Sequence, residues 1–183
     1  GYVIYKKVDK MRYLIVCGGK IDKEFGLNEI KTDGIDAIIA ADSGMDFLYE
    51  NGVTPDIIVG DFDSATTKTL EFFERKGQTE IHRLNPIKDD TDTEYAIRLA
   101  IREGARSIVM LGATGSRIDH VLGNISLLGI GLESKTDISI IDTNNRIRMS
   151  DKPVTIEKSA QYGRFVSLIA VTDDNEVSLR GFK

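Results

Sequence analysis

Residues 37–64 read AIIAADSGMDFLYENGVTPDIIVGDFDS. Two apolar runs, 37–41 and 57–59, stand in this stretch without polar alternation. That is the pattern of strands buried on both faces, as in a parallel sheet. Each run leads directly into carboxylates: Asp42-Ser43-Gly44 after the first, and Gly60-Asp61-Phe62-Asp63-Ser64 after the second. Strand, acidic turn, then strand again is the local grammar of an open α/β sheet, whose ligands sit beyond the carboxyl ends of the strands.

The same grammar extends outward. Further apolar runs fall at 13–17, 108–111 and 138–141, and a mixed strand-like run, Ile-His-Arg-Leu, at 81–84. Helical patterns lie between them. After Thr91, the residues Ala96, Ile97, Ala100 and Ile101 share one face, while Glu94, Arg98 and Arg102 lie off it, and the pattern ends near Gly104. A second helix is predicted over 68–76, carrying Leu70, Phe72 and Phe73 and ending at Gly77; a third, mostly apolar, over 118–132. The alternation predicts a Rossmann-like, mostly parallel sheet with flanking helices over 11–143.

Beyond Asn144 the stretches 154–156, 165–171 and 176–179 are β-rich and are separated by Pro153, Gly163 and Asp173-Asp174-Asn175. They predict a small antiparallel sheet or β-sandwich over 146–183, with the boundary near 143–146. Residues 1–10 read as a leader before Met11 or as an extra strand, and the last residues as a strand cut short, so a further C-terminal piece is expected.

The 183 residues suffice for one domain and a small second one. A net charge of −5 argues against a nucleic-acid surface. It still permits a nucleotide if a divalent cation stands between the two negative partners. The single cysteine, Cys17, cannot form a disulfide within the chain and reads as a small buried hydrophobe in a reducing, cytoplasmic setting. No apolar stretch approaches the roughly 20 residues of a membrane helix.

If the sheet is as predicted, Asp42, Asp61, Asp63 and Asp92 converge on one rim, within the segments Asp42-Ser43-Gly44, Gly60-Asp61-Phe62-Asp63-Ser64 and Lys88-Asp89-Asp90-Thr91-Asp92-Thr93-Glu94. Carboxylates that close repel one another unless a cation is present. Oxygen donors without His or Cys suit Mg²⁺ or Mn²⁺. A fourth segment, Gly112-Ala113-Thr114-Gly115-Ser116-Arg117-Ile118-Asp119-His120, opens the 118–132 helix and favours an anion, with Arg117 placed for a bidentate phosphate contact. Asp119 caps that helix, orients Arg117, or contacts a base or sugar. The plainer alternatives are a helix cap for Asp42 and for the Thr91–Glu94 stretch, a turn role for Asp61 or Asp63, and packing or capping for His120. The four segments gain weight from occurring in register along one edge.

Over AADSGMDFLYENGVTPDIIVGDFDS, KDDTDTEYAIRLA and LGATGSRIDHVLGNISLL, in that order, the chain resembles the thiamine pyrophosphokinase family. The resemblance implies an N-terminal α/β domain, a C-terminal β-sandwich, and a homodimer with its active site at the subunit interface. It implies transfer of pyrophosphate from ATP to the hydroxyl of thiamine, with Mg²⁺ as cofactor, giving thiamine diphosphate and AMP. Carried over residue by residue, Asp42, Asp61, Asp63 and Asp92 bind metal and phosphates. Asp42, Ser43, Gly44, Thr91, Thr114, Gly115, Arg117, Asp119 and His120 form the nucleotide site, and Asp89 and Asn124 contact substrate. In the family a Ser-Asn segment near the C-terminus completes the thiamine pocket across the dimer; it is expected beyond Lys183.

Two alternatives remain. Asp61-Phe62-Asp63 after an apolar strand imitates the nucleophile motif of haloacid-dehalogenase-like phosphatases. A nucleotide-sensing module without turnover is the other. A dinucleotide-binding or P-loop reading fails, because Cys17-Gly18-Gly19 supplies neither motif.

Overall fold

The structure, a computed structural model, describes residues 11–62, 67–85, 91–173 and 175–181. Its strands are β1 (Arg12–Val16), β2 (Ala37–Ala41), β3 (Ile57–Gly60), β4 (Glu80–Arg83), β5 (Ser107–Leu111), β6 (Asp137–Ile141) and β7 (Arg146–Arg148). The helices are α1 (Lys23–Ile30), α2 (Gly44–Glu50), α3 (Thr67–Lys76), α4 (Asp92–Arg102) and α5 (Ile118–Ser134). The strands form one sheet in the order β4-β3-β2-β1-β5-β6-β7. Every neighbouring pair from β4 to β6 is parallel, and β7 closes the edge antiparallel to β6. All six runs read as strands in the sequence are strands here.

From β1 the chain builds outward through β2, β3 and β4, then returns to the other side of β1 with β5 and β6. The direction of growth reverses between β1 and β5. In open α/β sheets such a switch point leaves a crevice at the carboxyl ends of the two strands.

Side chains along β1 alternate between two cores, as the two-residue period of a strand requires. Tyr13 and Ile15 join Ala96, Ile97 and Ala100 of α4 and Leu128 of α5 on one face. Leu14 and Val16 join Met45 and Leu48 of α2 and Leu70 and Phe73 of α3 on the other. Cys17 is fully buried, and desolvation pushes its thiol up to about 12, so it packs as a neutral hydrophobe.

The C-terminal part differs from the sequence expectation. β7 belongs to the first sheet, so that sheet continues past the expected boundary to Arg148. The antiparallel sandwich expected over 146–183 is not formed among the described residues, which beyond Arg148 hold a 3-10 turn at Lys158–Ala160 and no strand. The physical reason is the lack of a facing layer. Phe165 is 82% and Ile169 86% exposed, and isolated extended segments have neither a ladder partner nor a covered face. Tyr162 ties this segment to the α/β unit: its hydroxyl donates to the Asp142 carbonyl at 2.5 Å, and Arg146 lies over its ring. Residues 1–10, the expected leader, lie outside the described residues.

Candidate active site

Asp42 follows β2, Asp61 follows β3, and Asp92 opens α4. One carboxylate oxygen from each lies within 4.8 Å of the others. Among the described residues no hydrogen bond or ion pair engages these three carboxylates. Acidic residues at the opposite end of the sheet behave differently. Asp36 accepts from the Arg12 N–H and Asp56 from the Ile38 N–H, both at 2.7 Å, so each satisfies an edge of the ladder. The rim carboxylates have no such structural task.

The backbone at the rim is held in an uncommon conformation. Asp42 has φ 50° and Phe62 has φ 54°. Left-handed backbone costs a residue with a Cβ about 1 kcal/mol or more. The third described non-glycine residue of this kind, Lys135, is the left-handed C-cap of α5. Asp42 and Phe62 have no such capping role, and their turns instead aim Asp42 and Asp61 at a common point.

Burial, the larger cause, together with the charges of Asp42 and Asp61, raises Asp92 from its ordinary 3.8 to about 6. Three hard oxygen donors without a His or Cys among them fit a divalent cation such as Mg²⁺. Such an ion must displace the Asp92 proton. Divalent-cation affinity is therefore expected to weaken by roughly tenfold for each pH unit below about 6. Titrations with Mn²⁺ from pH 7.5 to 5 check this; a flat profile contradicts it.

The Thr91–Glu94 stretch is both a cap and part of the site. Thr91 Oγ1 accepts from the Glu94 N–H at 3.1 Å as the N-cap of α4, which leaves Asp92 free for the cluster. Thr91→Ala is expected to destabilise the protein by about 1 kcal/mol, read from urea unfolding. Ser43 at the start of α2 makes no side-chain cap bond, and a cap by Asp42 is likewise not made.

Beside the cluster, over the ends of β1 and β5, opens a cleft of about 1450 Å³. Its walls include Gly18, Gly19, Lys20, Asp42, Ser43, Thr91, Asp92, residues 112–121, Asn124 and residues 141–145. Close packing shapes it. A Cβ at Gly44 would lie 1.9 Å from the Val16 carbonyl oxygen. Gly112 has φ 66°, and its Cβ would lie 2.4 Å from the Cys17 carbonyl oxygen.

The cleft gathers most of the residues expected from sequence. Thr114 and Gly115 lie in its wall. Arg117 and Asp119 pair through Nη2–Oδ2 at 2.6 Å and Nε–Oδ1 at 3.3 Å, both largely exposed. The Arg117 guanidinium holds Asp119 below the usual carboxylate range. Of the three roles open for Asp119, orientation of Arg117 is the one seen. His120 is exposed, with Nε2 4.0 Å from Asp119 Oδ2. Asn124 Nδ2 donates to the Ala113 carbonyl at 2.8 Å, so it pins the glycine loop from α5. Asp63 and Asp89 lie outside the described residues.

Sequence reasoning missed Asp142. It follows β6 and obeys the same strand-end rule as the others. Its carboxylate accepts from Thr114 Oγ1 at 2.9 Å and from the N–H groups of Asn144 and Asn145 at 2.8 and 2.7 Å. The signal was the run Ile141-Asp142-Thr143-Asn144-Asn145, a strand followed by turn-forming residues.

Known proteins share this fold. Residues 31–141 match the family model of the thiamin pyrophosphokinase catalytic domain. The thiamine pyrophosphokinase of Bacillus subtilis is 36% identical over 147 residues, covering 79% of this chain and 68% of that protein. The crystal structure of thiamine pyrophosphokinase from B. subtilis superposes with a TM-score of 0.65 at 31% identity, over 75% of this chain and 63% of the other. That of a probable thiamine pyrophosphokinase from Staphylococcus saprophyticus gives 0.59 at 33%, over 75% and 68%. The chain thus spans roughly two-thirds of the length of these relatives.

Proposed function

Since the chain belongs to the thiamin pyrophosphokinase family, we propose that it transfers pyrophosphate from ATP to thiamine, giving thiamine diphosphate and AMP, with Mg²⁺ as cofactor. The observation that carries this reading is the cluster of Asp42, Asp61 and Asp92 within 4.8 Å, set beside a cleft at the β1/β5 switch point.

Asp42, Asp61 and Asp92 would hold the cation, with Asp63 a fourth candidate. A bound Mg²⁺ supplies charge neutralisation to the polyphosphate. Arg117 lines the same cleft, and its guanidinium would engage a non-bridging phosphate oxygen. The loop from Gly112 to Gly115 lets the nucleotide approach backbone closely, and Ser43, Gly44, Thr91, Thr114 and His120 are assigned to the same nucleotide site. In the transfer, the thiamine hydroxyl oxygen attacks the β-phosphorus. The bond from that phosphorus to the α,β-bridging oxygen breaks, and AMP leaves with the oxygen. The hydroxyl proton passes to a carboxylate of the rim. Asp89 and Asn124 are assigned to substrate, Asn124 through the loop it fixes.

The chain is further proposed to act as a cytoplasmic homodimer. The exposed Phe165, Leu168 and Ile169 supply apolar surface for such an interface and for completion of a β-sandwich. No helix among the described residues is long and apolar enough to cross a membrane. The phosphatase alternative finds no support, because Asp61 stands in a three-carboxylate cluster within a domain that matches the kinase family. An omission assay tests the reading: AMP should accumulate only when ATP, thiamine and Mg²⁺ are all present. AMP formation independent of thiamine would contradict it.

A further inference from the structure

Resting on the nucleotide reading of the cleft, we propose that Thr114, held by Asp142, is an acceptor-only contact that selects a nucleotide group carrying a hydrogen-bond donor, either a ribose hydroxyl or the amino group of the base. Asp142 is the positioning residue, and Thr114 Oγ1 makes the contact.

The polarity follows from the hydrogen bonds. Burial alone would raise Asp142. Donation from the Asn144 N–H, Thr114 Oγ1 and Asn145 outweighs it and holds the carboxyl below its usual range. Asp142 is therefore ionised at neutral pH and can only accept. Its Oδ1 already receives the N–H groups of Asn144 and Asn145 and the Asn145 amide, at 2.8, 2.7 and 3.0 Å. Its Oδ2 receives Thr114 Oγ1 at 2.9 Å and the Asn145 amide at 3.2 Å. A threonine hydroxyl has one proton and two lone pairs. With the proton committed to Asp142, Thr114 offers only lone pairs to the cleft. A phosphate oxygen placed there would meet them repulsively, whereas a hydroxyl or amino group would bind.

The element is also rigid. Gly19 N–H donates to the Gly112 carbonyl at 2.8 Å, and Asn124 Nδ2 donates to the Ala113 carbonyl at 2.8 Å, so the two residues before Thr114 are pinned from the loop after β1 and from α5. Thr114 and Asp142 are both half-buried in the cleft wall. A fixed polar group in such a place discriminates strongly, because an analogue lacking the matching donor leaves it unpaired. The polyphosphate is accordingly directed away from Thr114, toward the acidic rim and Arg117.

The test is a calorimetric comparison of ATP, 2′-deoxy-ATP, 3′-deoxy-ATP and inosine triphosphate with Mg²⁺ present. It reads affinity and not turnover. A chain that binds ATP but forms no thiamine diphosphate would lose the activity reading, while the affinity ratios would still decide this one. In the wild type, one analogue is expected to bind at least about tenfold more weakly than ATP. A deoxy analogue identifies a ribose hydroxyl as the donor, and inosine triphosphate the base amino group. Thr114→Val and Asp142→Asn should each reduce that ratio to about twofold or less. The first removes the oxygen. The second presents an amide that donates to Thr114 and turns its proton outward. Thr114→Ser should keep the ratio. A merely structural role would weaken ATP and the analogue equally. Equal binding of all four nucleotides by the wild type, or an unchanged ratio in both Thr114→Val and Asp142→Asn, overturns the proposal.

Discussion

Replacing Asp92 with asparagine is expected to lower turnover by at least about 10²-fold and, at the same time, to make the metal-free protein more stable. The two effects have one cause. Asp92 stands near Asp42 and Asp61 in a partly desolvated place, and its carboxyl is raised from 3.8 to about 6. A carboxyl raised on folding binds its proton more tightly in the native state than in the unfolded chain. The resulting penalty is absent below pH 3.8, grows between 3.8 and about 6, and is fully present at pH 7. The full shift would correspond to about 3 kcal/mol. Asp92 is only about half buried, so solvent screening reduces this to on the order of 1 kcal/mol. The amide in Asp92→Asn has no charge to repel, and without metal the melting temperature of this variant at pH 7 should rise by about 3 °C. At pH 4 the gain should vanish. The same change removes an oxygen donor and a negative charge from the cation site, so added Mg²⁺ should stabilise the variant less than the wild type. A variant that lost turnover and also lost stability without metal would mark Asp92 as an ordinary structural residue.

The second large effect is steric. Gly44→Ala should destabilise the protein by about 3 kcal/mol. Its Cβ would lie 1.9 Å from the Val16 carbonyl oxygen and 2.6 Å from the carbonyl carbon. Both atoms belong to the central strand β1, which is paired on either side by β2 and β5 and cannot yield. Relief requires α2 to move outward, and α2 begins two residues after Asp42. Any Gly44→Ala protein that still folds should therefore bind divalent cations more weakly as well. Gly123→Ala is the control: it lies within α5 with open space around its Cβ. It should stabilise by about 1 kcal/mol, as alanine does in a helix interior. Opposite signs for these two glycines in thermal melts would confirm that the constraint is contact with β1 and not glycine content.

Much of the α/β sheet and its acidic rim was legible because two strong signals coincide there. Uninterrupted Ile, Val and Leu runs have one good explanation in a chain of this length, a sheet covered on both faces. Carboxylates at the ends of such runs then fall on one rim by topology alone. The helices α1 and α2 were less legible. α1 interrupts its apolar pattern with Gly26, and α2 is seven residues long, too short to establish a period. Asp142 was overlooked because it falls where the sequence changes character, a place that reads as a boundary. β7 has three residues, Arg-Ile-Arg, and no local pattern; it is a strand because β6 offers an edge. The C-terminal segment shows the converse. Its β-rich composition is a local property, whereas a strand needs a neighbour, and residues beyond Arg148 find none among the described residues. Thr91 does cap its helix, and this placement is what carries Asp92 into the cluster.

The most direct measurement follows the phosphate itself. ATP labelled at its γ phosphate is incubated with the protein, thiamine and Mg²⁺, and the products are separated. Pyrophosphate transfer moves the label into thiamine diphosphate as its terminal phosphate, with one unlabelled AMP released for each product molecule. Label appearing as free inorganic phosphate, with ADP as the partner product, would contradict the account.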